Sequence, residues 1–174
     1  MPLLALSTHR ALVALSDIPI NGATALLVVL PLVLRPLRWR LALLAVAVGI
    51  LIDVDHAVAA RSLSLEAMLS LPVRPATHSL LFASLASLAA WAVSRRAVAA
   101  WIVLAALVSH LLRDASGYGT PLLWPWQAST RIPAALYPAG VALLFVLSWL
   151  IRARAAAARR LPGAGPPAEG RRSA

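Results

Sequence analysis

The chain has 174 residues, of which 61 % are hydrophobic and only 13 % charged. A soluble domain is usually about 45–50 % apolar and about 25 % charged, so the composition excludes a soluble globule and indicates one polytopic membrane domain. No cysteine is present, which excludes disulfides and thiolate metal sites and leaves any metal to His and carboxylates.

The net charge of +10 comes from 16 Arg against six acids. These Arg residues stand in short connections and a tail beside apolar stretches. Membrane orientation and lipid contact explain that placement, and no nucleic-acid partner is expected. Met1 to Asp17 lacks a basic start followed by a long apolar core, so no cleavable signal peptide is expected.

In chain order, Met1 to Asp17 mixes apolar residues with Ser7, Thr8, His9, Arg10 and Asp17 and reads as a short interfacial helix or a lead-in to the first span. Ile18 to Leu34 is the first predicted span, bracketed by Pro19 and Pro31. A basic loop with Arg35, Arg38, Trp39 and Arg40 leads to the second, Leu41 to about Val58. Ala59 to Ala76 is a polar connection with a small amphipathic helix over Leu63 to Leu71, ended by Pro72. Thr77 to Val93 is the third span, with Thr77 as its N-cap.

After the basic turn Ser94-Arg95-Arg96, Ala97 to about Asp114 forms the fourth span. A Gly/Pro/Trp loop over Ala115 to Arg131 precedes the fifth, Ile132 to Ile151. The fold class is therefore all-α: a membrane bundle of about five helices over residues 1–151, followed by a disordered basic tail over 152–174. Trp39, Trp91, Trp101 and Trp149 fit an inner interfacial belt, and Trp124 and Trp126 an outer one.

Positive-inside counting gives the orientation. Loop 35–40, turn 94–96 and the tail share one side and hold eleven Arg, whereas the other side holds five: Arg10, Arg61, Arg74, Arg113 and Arg131. The N-terminus is then outside and the C-terminus cytoplasmic. All four His and every acid except Glu169 fall on the extracytoplasmic side.

The residues that break the apolar pattern are Asp53, Asp55 and His56 at the end of the second span, His78 at the start of the third, and His110 and Asp114 at the end of the fourth. Ionisable groups at that depth, about 5–10 Å below the outer interface, are costly and need partners. Asp53 and His56 share a helix face at i,i+3, as His110 and Asp114 do at i,i+4; on a regular helix Asp55 points elsewhere.

Buried carboxylates near one another repel, and a divalent cation removes that penalty. Three carboxylates and three imidazoles suffice for one metal with supporting partners, or for two bridged by an Asp. His and carboxylate donors suit Zn, Mn, Fe or Mg. Such an ion acidifies bound water and makes a nucleophile. Arg61, Arg74 and Arg113, on the same side, are candidates to bind an anionic substrate group. Taken singly, each Asp also fits a cap or an ion pair with Arg113, and His9 stands apart from the three-helix cluster.

The pattern Asp53-x-Asp55-His56, Thr77-His78-Ser79, Ser109-His110-x-x-x-Asp114 and Gly119-Thr120-Pro121-Leu122-Leu123-Trp124-Pro125 resembles the YdjM-like membrane-bound metal-dependent hydrolases over about residues 40–127. The resemblance implies a small inner-membrane protein with a His/Asp metal site, and carries the metal role to Asp53, Asp55, His56, His78, His110 and Asp114. Members often have an early His opening the first span; here His9 lies well before Ile18.

The expected activity is metal-activated water attacking an ester or phosphoester, of an amphiphilic or lipid-linked substrate, with Asp55 as ligand or general base. The expected partners are the bilayer and, at the basic tail, anionic lipids. The alternatives are a cation or proton transporter using the same groups, and a non-catalytic membrane protein with a structural metal.

Overall fold

The computed structural model describes residues 2–34, 38–126 and 129–159. Arg35 of the first basic loop and the tail from Arg160 lie outside the described residues, as do the side chains of His9 and Arg10. The fold is an all-α membrane bundle. Helix α1 (Pro2–Val33) is followed by α2 (Trp39–Leu51), α3 (Val54–Ala60), α4 (Leu65–Leu69), α5 (Leu80–Ser94), α6 (Ala97–Gly117) and α7 (Leu136–Ala158).

Four stretches are long and apolar enough to cross a bilayer: Leu15–Val33, Trp39–Ala60, Ala97–Gly117 and Leu136–Ala158. The apolar α5 is shorter at 15 residues, about 22 Å at 1.5 Å per residue. The chain is thus embedded in a lipid bilayer.

Helix α6 is the axis of the bundle and packs against α1, α2, α5 and α7. Its small residues Ala99, Ala105 and Ala106 are buried, which lets neighbouring backbones approach where apolar lipid offers no hydrophobic drive to association. Polar side chains tie the helices together. Trp101 Nε1 donates to Ser148 Oγ at 2.8 Å, Ser87 Oγ to the Ala100 carbonyl at 2.9 Å, and Thr24 Oγ1 meets Tyr137 Oη at 3.0 Å. Trp101 therefore joins α6 to α7, whereas the exposed Trp39, Trp91 and Trp149 keep an outward position. At the other end of α1, Arg152 Nη1 donates to the Pro31 carbonyl at 3.0 Å, satisfying a carbonyl in the last turn.

Several boundaries differ from expectation. Helix α1 runs unbroken from Pro2 through Asp17 into the span, with Pro19 and Pro31 inside it; neighbouring helices re-satisfy backbone groups freed by proline in such spans. The third span opens later, because Ser79 and not Thr77 is its N-cap: Ser79 Oγ accepts from Phe82 N at 3.2 Å. Helix α7 continues through Arg152 and Arg154 to Ala158, past the expected start of the tail.

Candidate metal centre

The site begins with a broken helix. The second span is interrupted at Ile52 and Asp53, between α2 and α3, where Asp53 N donates to the Ile50 carbonyl at 3.3 Å. The Gly49 carbonyl is thereby left for another donor, and it accepts from His110 Nδ1 at 3.1 Å. Gly49 itself lies against α1, where a Cβ would stand 2.7 Å from Ala25 Cβ and 3.0 Å from the Asn21 carbonyl. Only glycine allows that approach, and it sets how deeply the carbonyl reaches towards α6.

Asp55 follows in the first turn of α3. Its Oδ1 lies 2.9 Å from His56 Nδ1, and its Oδ2 lies 3.1 Å from His78 Nδ1 and accepts from Thr77 Oγ1. Asp55 thus stands behind two imidazoles and is absent from the residues lining the cavity described below. Backing of this kind fixes ring orientation and tautomer at metal sites.

His78 is held from a second side. Gly119, at φ 86°, turns the chain out of α6 with its amide on the Asp114 carbonyl at 2.9 Å. The next residue, Thr120, donates through Oγ1 to the His78 carbonyl at 3.0 Å, and Leu80 N donates to the Leu122 carbonyl at 3.0 Å. The Gly-Thr-Pro segment therefore fixes the loop that carries His78.

Both buried rings give their Nδ1 atoms away and turn Nε2 inward. His78 Nε2 lies 3.4 Å from Asp53 Oδ1 and 3.5 Å from Asp114 Oδ2; His110 Nε2 lies 3.3 Å from each of the same two oxygens. Atoms bound tetrahedrally at about 2.0–2.1 Å lie about 3.3–3.4 Å apart, so these four separations match the edges of such a site.

The chemistry of the donors agrees. His110 Nε2 is buried without a hydrogen-bond partner. In a neutral ring donating from Nδ1 it carries a lone pair, facing carboxylate oxygens that carry lone pairs too. A divalent cation held among these atoms would remove that repulsion. Asp53, His56 and His78 form one group able to hold a metal, and His78, His110 and Asp114 another, with ligand atoms within 4.8 Å of one another in each. His56 stays at the rim, its Nδ1 4.0 Å from Asp53 Oδ1.

The three candidate anion-binding arginines take different places. Arg74 Nη1 donates to Asp114 Oδ2, and its guanidinium lies 5.4 Å from the centre of the Tyr118 ring. Arg113 instead pairs with Asp17 on α1 through Nη2, tying α6 to α1 beside the site. Arg61 is exposed at the left-handed end of α3 and does not line the cavity. Only Arg74 of the three is brought to the His/Asp cluster.

Over the cluster lies a cavity of about 850 Å³. Asn21 lines it, almost wholly buried, with Nδ2 3.5 Å from Asp53 Oδ2 and Oδ1 without a partner. Asn21 and Asp17 were missed in the sequence; the signal available was a polar residue inside or beside the first span. Tyr118 stands at the edge of the cavity, and burial together with the nearby Asp17 carboxylate raises its phenol above the usual value, keeping it a donor.

Neither the comparison with curated proteins nor that with solved structures returned a match. The family described as YdjM inner membrane protein does match, over residues 20–164, a stretch that contains Asp53, His56, His78, His110 and Asp114; the chain belongs to that family.

Proposed function

We propose that the chain is a metal-dependent hydrolase of the cell's inner membrane, with its site at the extracytoplasmic end, its N-terminus outside and its C-terminus cytoplasmic. The observation that carries the reading is the approach of one oxygen each from Asp53 and Asp114 to both His78 Nε2 and His110 Nε2, at 3.3–3.5 Å. Those four residues would hold a divalent ion such as Zn, Mn, Fe or Mg, with His56 beside it at the rim. A bound ion would polarise an ester oxygen and acidify a water molecule.

The chain's own residues supply the rest. His56 lines the cavity with Nδ1 on Asp55, so its ring is oriented to take a proton from the attacking water while Asp55 stabilises the resulting charge. Asp55 thus acts through His56 and His78. Arg74 supplies positive charge for an anionic ester, whereas Arg113 holds α1 to α6 through Asp17. Basic residues at the opposite end favour anionic headgroups there.

Metal-stripped protein reloaded with each ion in turn should cleave a generic phosphodiester, and His56→Ala should retain metal while losing about 10²–10⁴-fold in turnover. Metal-loaded protein that cleaves no ester but carries ions into sealed vesicles would replace this reading with a transporter.

A further inference from the structure

The cavity of about 850 Å³ is far larger than an ester group alone requires and lies in the range of about 300–1,000 Å³ that accommodates drug-sized ligands. Its sides differ in kind. Asp53, His56, Asp114 and Arg74 line the floor, whereas Leu65, Met68 and Leu69 of α4, followed by Leu71 and Pro72, form an aliphatic wall.

The sequence of α4 produces that wall. Leu65, Met68 and Leu69 are spaced i, i+3, i+4 and line the cavity, while Glu66 and Ser70 are exposed. Among the described helices α4 packs against α3 and α1, and its apolar side lines the cavity. Leu63, also a lining residue, is 91 % exposed and extends the aliphatic surface outwards. A small water-soluble ester gives this wall nothing to bind; an alkyl chain does.

Charge identifies the other end of the occupant. Arg74 lines the same cavity, and only Nη1 of its guanidinium has a hydrogen-bonded partner among the described residues, leaving donors for an anion.

We infer that the substrate is a membrane amphiphile with an anionic phosphoester head over the floor, beside Arg74, and an aliphatic chain along Leu65, Met68 and Leu69. The inference rests on the hydrolytic reading of the same floor. In the reaction, the water oxygen bonds to phosphorus and the P–O bond to the alcohol breaks. A water proton passes by way of His56 to the departing alkoxide, and no oxidant or reductant is consumed.

The test uses the full chain in neutral detergent, loaded with zinc, and two short series that remain in water. The first is non-cleavable alkyl phosphonates from ethyl to hexyl, with binding followed by calorimetry. Full burial strengthens binding about fourfold per methylene, so the dissociation constant should fall at least about tenfold along the series. Met68→Asn with Leu69→Asn should flatten that dependence at unchanged metal content.

Equal affinity across the series in the wild type overturns the inference without need of any variant. A dependence that survives in the folded, metal-bearing wall variant overturns it too. The second series, p-nitrophenyl alkyl phosphodiesters, separates the two readings. Cleavage with KM independent of chain length removes the amphiphile and leaves hydrolysis. Chain-dependent phosphonate binding without diester cleavage removes hydrolysis and leaves the amphiphile site.

Discussion

Replacing Gly49 by alanine tests whether the contact between α1 and α2 sets the metal centre. The new Cβ would lie 2.7 Å from Ala25 Cβ and 3.0 Å from the Asn21 carbonyl. Ordinary carbon contacts lie at about 3.5–4.0 Å, so the two helices must separate by about 1 Å. Overpacking of this kind costs about 1–3 kcal/mol. The same displacement acts on the Gly49 carbonyl, which holds His110 Nδ1 at 3.1 Å and so aims Nε2 at the two carboxylates. Loss of an outer-shell partner typically weakens metal affinity by about 10–100-fold.

Thermal unfolding in detergent and metal-competition titration, run together, should show both losses. Leu43→Ala, on the exposed side of α2, is the control and should leave metal affinity unchanged. If Gly49→Ala keeps wild-type stability and wild-type metal affinity, the reasoning that links helix approach to ligand orientation fails.

Asp55→Asn should weaken metal binding by about 10–100-fold in the same titration, because His56 and His78 lose the carboxylate that orients them. Asp17→Asn leaves the part-buried Arg113 without its carboxylate and should destabilise the fold by about 1.5–3 kcal/mol; Asp17→Asn with Arg113→Gln should recover part of that in thermal unfolding, with metal retained throughout. Reporter fusions after Ser94 and Arg154 should read cytoplasmic and one after Glu66 external; the opposite pattern would move the site to the other face.

The parts of the site visible in the sequence are those whose cost is visible there. Asp53, His56, His78, His110 and Asp114 interrupt apolar stretches near one bilayer level, and ionisable groups so placed must find one another. What depended on the backbone could not be read. Asp55 reaches the adjacent His56 through Oδ1 and, through Oδ2, His78 on the segment before α5, a contact that helix periodicity alone does not predict; the break at Ile52–Asp53 was equally hidden. The same break frees the Gly49 carbonyl for His110.

Contacts between distant segments were equally hidden. Arg113 lies within a turn of His110, yet it binds Asp17 across the α1–α6 interface. Asn21, a single polar residue in the first span, gained meaning only from its nearness to Asp53. Thr77 and Ser79 are both competent N-caps, and the choice falls to Ser79 because Thr77 is drawn to Asp55.

The most direct measurement of the central claim is elemental analysis of the full chain purified without chelator and reloaded with divalent ions, wild type beside His110→Ala. His110 is buried, its Nε2 has no hydrogen-bond partner, and that atom faces both Asp53 and Asp114. The wild type should hold stoichiometric metal, and a His110→Ala protein that still folds should lose it. Wild-type protein that takes up no ion after reloading, or a His110→Ala protein with undiminished occupancy, would contradict that claim.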